Sequence, residues 1–289
     1  MPSSLPRPVA GLPIRRLTPD DLVACADLCE DRGWPRDEHR WRLLLTAGIG
    51  YGVDDPEGKG LMASCVVTTY GSRLTAIGML LVAERYARQG VARQLMNHVI
   101  AACADVPVSL YATAAGQPLY EQLGFSAVGR SQRVTGFFRP TDESPDGVHV
   151  RPATAEDLHA MVRLDSDVFG ADRTHLLARL PAYADHIRVA RTEGELIGYA
   201  AAWPSEQTHV VGPLIARDTA TARALVSSLA EATDRPLRAD IDARHTGLLE
   251  WFEKCGLRLG STTTVMTLGA SDLPGDWTRR HAPLTVATG

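Results

Sequence analysis

Residues 80–94 read LLVAERYARQGVARQ. Leu80, Leu81 and Val82 end an apolar strand pattern, and a short polar loop follows. Gly90 then opens a helical run through Val91, Ala92 and Arg93. A strand, a loop and a helix entered at glycine form an anion site. The first amides of a helix have no acceptors inside it, and the helix dipole favours negative charge there. Gly90 lets the backbone approach a ligand without a Cβ in the way, and Ala92 is small for the same reason. Arg88 and Arg93 add positive charge, and Gln89 adds donors.

The pattern before this loop is that of an α/β chain. Residues 14–17 read as a strand. Thr18 caps a helix with Pro19 at its first position and Asp20 and Asp21 in its first turn. That helix runs to about Asp31, and a second spans about 37–47. Residues 61–70 and 73–82 are apolar or β-branched runs parted by Gly71 and Ser72, which is a hairpin pattern. After the glycine loop come a helix to about 104, a strand at 106–112 and a short helix at 117–123. Residues 125–138 are read as the last two strands of this half.

The same order recurs. Leu17-Thr18-Pro19-Asp20-Asp21-Leu22 matches Ala153-Thr154-Ala155-Glu156-Asp157-Leu158. Leu119-Tyr120-Glu121-Gln122-Leu123-Gly124-Phe125 matches Trp251-Phe252-Glu253-Lys254-Cys255-Gly256-Leu257. Two matches in one order indicate an internal repeat. The stretch 139–147, RPTDESPDG, is rich in proline, glycine and charge and marks the boundary. The expected organisation is a loose arm at 1–13, a cofactor-binding domain at 14–140 and a second, degenerate domain at 141–270. A tail without periodicity, open to motion, completes it at 271–289.

On these motifs the chain resembles the GCN5-related N-acetyltransferase (GNAT) superfamily. That family carries a Gln/Arg-x-x-Gly-x-Gly/Ala loop, and here the stretch is Ala87-Arg88-Gln89-Gly90-Val91-Ala92. Both small positions match, and Ala87 departs from the leading Gln/Arg. The family's Leu-Tyr-x-x-x-Gly-Phe segment is complete in Leu119–Phe125. The resemblance implies an α/β (α+β) fold of two tandem domains. Each would have a central mixed, largely antiparallel twisted sheet flanked by helices. It further implies acetyl-CoA as acyl donor, with the pantetheine arm against Leu80-Leu81-Val82. A backbone amide near Leu81 or Val82 would be the oxyanion donor, and Tyr120 the general acid.

Acyl transfer from a thioester needs a held donor, a neutral amine, an oxyanion donor and a proton for the leaving thiolate. A phenol's ordinary pKa of about 10 lies above a thiol's, so tyrosine is a protonated donor at neutral pH. Packing alone would also explain Tyr120. The base is open among Glu30 and Asp31, where the family builds its substrate wall, and Glu84, just beyond the strand. Trp34 is a candidate for the acceptor pocket. In the second half Asp218 and Ala220 stand in the loop, and Phe252, with no proton to give, stands at the tyrosine position. Asp240 and Asp242, two apart on a strand, share a face. They could line a cleft for a cationic acceptor or be solvated charges.

Composition narrows the alternatives. The chain has 289 residues, 45% hydrophobic and 22% charged, with net charge -4. This suits two globular domains and gives no reason for a nucleic-acid or membrane partner. Five cysteines without a CxxC pair suit reduced thiols in a cytoplasmic protein, and the histidines show no metal-ligand spacing. A monomer or homodimer acting on a small-molecule or peptide amine is expected. A non-catalytic acyl-CoA sensor is the alternative. A tandem domain that takes amino acids from charged tRNA ranks lower, because it needs a basic surface.

Overall fold

Arg15 fixes the entry to the first helix. Its Nη1 and Nη2 donate to Asp21 at 3.0 and 2.7 Å, while the Thr18 amide donates to the same carboxylate at 2.8 Å. The strand, the cap and the first turn are thereby tied together. The computed structural model describes residues 11–140 and 148–289, so most of the expected boundary segment lies outside the described residues. The chain divides into one unit of Met1–Thr68 with Ile77–Ala104 and another of Thr69–Ala76 with Asp105–Gly289.

In the first unit, β1 (Ile14–Leu17) leads to α1 (Leu22–Asp31) and α2 (Glu38–Ala47), then β2 (Ile49–Asp54), most of β3 (Leu61–Tyr70) and of β4 (Leu74–Val82), and α3 (Val91–Ala102). The sheet order is β1-β2-β3-β4. Antiparallel register pairs Ile14 with Val53 and Tyr51 with Cys65. Helix α1 buries Cys25, Ala26, Leu28 and Cys29, the helical spacing of an inward stripe. Trp41 of α2 donates its Nε1–H to Cys29 Sγ at 3.2 Å. All five cysteines are buried, and none is in a disulfide. Of the expected loose arm, residues 1–10 lie outside the described residues, but Gly11 and Leu12 are held. Both engage the side-chain amide of Gln94 on α3, at 3.2 and 3.0 Å.

The second unit continues with β5 (Val108–Ala112), α4 (Gln117–Gln122), β6 (Ser126–Gly136), β7 (His149–Pro152) and α5 (Leu158–Phe169). Two single turns, α6 (Thr174–Leu177) and α7 (Leu180–Tyr183), precede β8 (His186–Thr192), β9 (Glu195–Ser205) and β10 (Thr208–Ala216). The rest is α8 (Thr219–Ala230), β11 (Leu237–Asp242), α9 (Thr246–Lys254), β12 (Arg258–Leu268) and β13 (Arg280–Ala282). Strand β9 is covered on both faces, so Tyr199, Ala200, Ala201, Ala202 and Trp203 are all buried. The repeat noted in the sequence is also a repeat of geometry. Arg151 grips Asp157 at 2.7 and 2.8 Å, and the Thr154 amide donates to Asp157 at 2.8 Å.

Arg151, acting against the cost of burial and helped by the Thr154 amide and Arg191, holds the Asp157 carboxyl well below the usual carboxylate range. A depressed folded value contributes stability that is complete above the unfolded carboxylate value of about 4 and is lost as pH falls through the folded one. Asp157→Asn should therefore lower Tm by a constant amount from pH 8 to about 5. The difference from wild type should shrink below about pH 4. Calorimetry across that range checks it, and a gap that widened on acidification would contradict the assignment.

Two expectations are corrected. The run after Phe125 is one strand of eleven residues and not two. Its second neighbour comes from the far end of the chain. The order in this unit is β5-β12-β6-β11-β10-β9-β8-β7, so β12 lies between β5 and β6. Thr264 pairs with both Ala112 and Arg130, and β6 turns its other edge to β11, Ala239 opposite Val134. The first half thus ends in one long strand where two were expected, the second closes on β12, and these two strands lie side by side. The physical reason is that 125–138 carries no two-residue turn able to fold it back on itself.

The tail is the second correction. Strand β10 pairs in parallel with β11 only from His209 to Val211. From Leu214 onward the same edge of β10 is taken by β13, with Leu214 opposite Ala282 and Ile215 opposite Arg280. The tail therefore fills the opening where two parallel strands diverge. At the crossing, a Cβ on Gly212 would come within 2.3 Å of the Pro283 carbonyl, so glycine is required there. Trp203 Nε1 donates to Leu284 O at 3.2 Å, Arg173 Nη1 donates to Gly289 O at 2.9 Å, and His281 and Thr288 are fully buried.

Candidate active site

The glycine loop is anchored in the first unit by its early residues. The Ala83 amide donates to Met62 O at 2.8 Å, and Tyr86 OH donates to Asp55 Oδ1 at 3.2 Å. Arg85 pairs with Asp55, whose side chain is fully buried. Gln89 Nε2 donates to Arg85 O at 3.0 Å. Beyond these anchors the chain turns with positive φ at Arg88 (60°) and Gly90 (83°). Gly90 is the N-cap of α3, and no side chain caps that end. Arg88, Gln89 and Gly90 are exposed, and nothing lies within 4 Å of a Cβ placed on Gly90. Exposed amides at the head of a twelve-residue helix, beside arginine, suit a diphosphate. Val91 is buried and fixes the helix, Ala92 is half-buried, and Arg93 is exposed on the first turn.

Strand β4 has a feature the sequence does not announce. Met79 lies in the left-handed region with φ 53°. Such a conformation costs a non-glycine residue on the order of 1–3 kcal/mol and marks a place worth examining for function. Ser64 Oγ donates to the Met79 carbonyl at 3.1 Å. The distortion immediately precedes Leu80, Leu81 and Val82, of which Leu81 is buried and the other two half-buried.

The acidic candidates of this unit already have partners. The Glu84 amide donates to Asp31 Oδ2 at 2.6 Å, Arg32 pairs with Glu84, and Arg36 Nη1 donates to Glu30 Oε2 at 3.0 Å. The structure brings Asp31 and Glu84 together and ties Glu30 to Arg36. Trp34 is 37% exposed, and its amide donates to Cys29 O at 2.9 Å.

Tyr120 sits in α4 of the second unit with 9% exposure. Its ring is 6.0 Å from that of Phe125, edge to face, and the Phe125 amide donates to its carbonyl at 3.0 Å. The helix stops at Gly124, φ 90°. The counterpart is built alike: the Leu257 amide donates to Phe252 O at 3.0 Å, Gly256 has φ 88°, and Phe252 is fully buried. Asp240 and Asp242 are both taken by arginines. Arg133 Nε donates to Asp240 at 2.8 Å, and Arg244 Nη2 donates to Asp242 at 2.6 Å. Among the described residues no group of His, Cys, Asp and Glu is arranged to hold a metal, and no helix is long and apolar enough to cross a membrane.

Family models described as acetyltransferase (GNAT) domain match residues 62–138 and 161–282. The uncharacterized N-acetyltransferase YitH of Bacillus subtilis (strain 168) is 31% identical over 225 residues, 76% of this chain and 79% of that protein. The chain belongs to the GNAT acetyltransferase family. It is a tandem member and an acyltransferase, and its family implies acyl transfer to an amine. Solved structures share the fold. A GCN5-related N-acetyltransferase from Sphaerobacter thermophilus gives a TM-score of 0.67 at 18% identity, covering 92% of this chain and 98% of that one. A Pyrococcus horikoshii protein, itself an inferred acetyltransferase, gives 0.79 at 18% identity, with 97% and 96% covered. A tandem GNAT protein from the clavulanic acid biosynthesis pathway gives 0.64 at 12%, with 90% and 99% covered.

The second GNAT copy differs from the first in its loop and at its tyrosine position. Its loop helix, α8, is capped by Asp218, whose Oδ1 accepts the Thr221 amide at 2.7 Å and the Thr221 hydroxyl at 2.8 Å. The place an anion would take is filled by the protein's own carboxylate. Its strand opening is filled by β13, and its tyrosine is Phe252. The loop departures Asp218 and Ala220 and the loss of tyrosine were legible in the sequence. The role of β13 was not, because three residues are too few to show a period.

Proposed function

We propose that this chain transfers an acetyl group from acetyl-CoA to the primary amine of a small molecule or peptide. One observation carries the reading: the first GNAT loop presents an uncapped helix end at Gly90, whereas the second closes the same end with Asp218. The residues present fit the diphosphate of CoA. The amides after Gly90 would hold it, with Arg88, Gln89 and Arg93 adding charge and donors. Leu80, Leu81 and Val82 would line the pantetheine arm, which Met79 helps to aim. The cofactor supplies a thioester carbon open to attack. The amine nitrogen would form the new C–N bond as the C–S bond breaks. Tyr120 gives its hydroxyl proton to sulfur and regains one from solvent, while the proton lost by nitrogen goes to Glu30, Asp31, Glu84 or a water they orient. Trp34, Asp240 and Asp242 are the candidates for contact with the acceptor.

Tyr120→Phe tests the acid. We expect kcat to fall by about 100-fold with CoA affinity unchanged in calorimetry. An unaltered rate would remove Tyr120 from the chemistry. CoA binding without turnover of any amine by the wild-type protein would favour a sensor.

A further inference from the structure

The second unit contains a cleft between the ends of β5, β6, β11 and β12 and the tail, lined by Tyr111, Arg130, Ser131, Asp242, Arg280 and His281. Three polar groups there lack what burial demands. Arg280 is only 7% exposed, yet no carboxylate among the described residues pairs with it. Its Nη1 donates to Pro274 O at 3.1 Å, and its guanidinium carbon lies 5.6 Å from the centre of the Phe169 ring. Ser131 is 3% exposed, and its Oγ has no partner. His281 is fully buried, and its Nε2 has none. A buried charge without a counter-ion and buried polar atoms without partners are each costly, and a protein keeps them where a ligand completes them.

The chemistry of the missing partner can be deduced. Arg280 calls for an anion. His281 Nδ1 lies 3.2 Å from the Arg279 carbonyl, which can only accept, so that nitrogen carries the proton. Burial and the stacked His245, 4.1 Å away, lower the His281 pKa to about 4, so the ring is neutral and Nε2 is an acceptor in need of a donor. Ser131 can donate to the anion, whereas His281 Nε2 takes its hydrogen from a water or from an N–H of the ligand, since an ionised carboxylate has none to give. Neither acid of the cleft is hydrogen-bonded to Arg280: Asp242, whose charge Arg280 feels, is held by Arg244, and Asp272 accepts the Leu273 amide at 2.7 Å. The free volume of the cleft is about 20 Å³, room for roughly one water, so only a small terminal group of a ligand enters it. A shallower depression shares Gly129, Arg130 and Arg244 with the cleft and reaches Gln117, three residues before Tyr120 on α4.

We infer that this cleft binds the carboxylate of the acceptor, so that the substrates are amines of the amino-acid class. The anion site rests on the cleft alone, and its link to the acceptor rests on the acyl-transfer reading.

The test compares amino acids with their α-amides and their decarboxylated amines, and with phosphoethanolamine, in calorimetry and in acetyl-CoA turnover. Wild type should favour the carboxylates at least tenfold. Arg280→Met and Ser131→Ala should each lose at least tenfold of that affinity with CoA binding unchanged. In the free protein, neither should lower Tm, because each removes an uncompensated buried group; a merely structural role would lower it. Equal binding of amides, preference for phosphoethanolamine, or carboxylate affinity retained in Arg280→Met would overturn the inference. Carboxylate binding that is lost on substitution, in a protein that acetylates nothing, would support the cleft and refute the transferase reading.

Discussion

Gly90→Glu is expected to abolish CoA binding while leaving the fold in place. The substitution meets two different environments. Sterically it is mild: a Cβ at this position finds open space, and the cost is that of φ 83° for a side-chain-bearing residue, on the order of 1–2 kcal/mol. For the helix itself a carboxylate at the N-terminus is favourable, which offsets part of that strain. For a diphosphate it is prohibitive, because a carboxylate there can accept from the same amides and repels the ligand. The second GNAT copy displays the arrangement the variant would create, with Asp218 accepting from Thr221. We expect at least a hundredfold loss in calorimetry, and only a few-fold for Gly90→Ala. Affinity of the glutamate variant within threefold of wild type would place the diphosphate elsewhere.

Asp165→Ala should produce the largest loss of stability. Arg173 Nε and Nη2 each donate to the Asp165 carboxylate at 2.7 Å, and Tyr199 OH donates to it as well. Asp165 and Tyr199 are fully buried, and Arg173 is 1% exposed. Truncating the aspartate leaves a guanidinium without an anion and a phenol without an acceptor in the interior. Breaking a buried pair on one side costs about 3–5 kcal/mol, whereas replacing both partners by apolar groups is often near neutral. Urea denaturation should therefore show a large drop for Asp165→Ala and recovery of most of it in Asp165→Leu with Arg173→Met. A cost below about 1 kcal/mol for the single variant would mean that water or another group reaches Arg173.

Local structure was legible wherever its cause was local. Thr18 with Asp21 and Thr154 with Asp157 announce helix starts through a bond that spans three residues. Gly90, Gly124 and Gly256 announce left-handed backbone because only glycine adopts it freely. The choice of strand partner is of another kind. Nothing in residues 126–136 states that β12, more than a hundred residues later, will lie alongside, since that is decided by which edges the assembled sheet leaves open. Met79 could not be foreseen, because its conformation is imposed by the strands around it. The cleft at Arg280 lay hidden for a related reason: an arginine in an irregular tail, next to Arg279, reads as solvated until its burial is known.

The strand contributed by the tail has one more implication. A domain of this kind that keeps an opening between its parallel strands has two states to choose from, empty and filled, and its rigidity follows the supply of what fills it. The second copy has surrendered that choice by carrying a permanent peptide occupant. Its firmness at that opening is set at folding, by a strand that arrives with the chain itself.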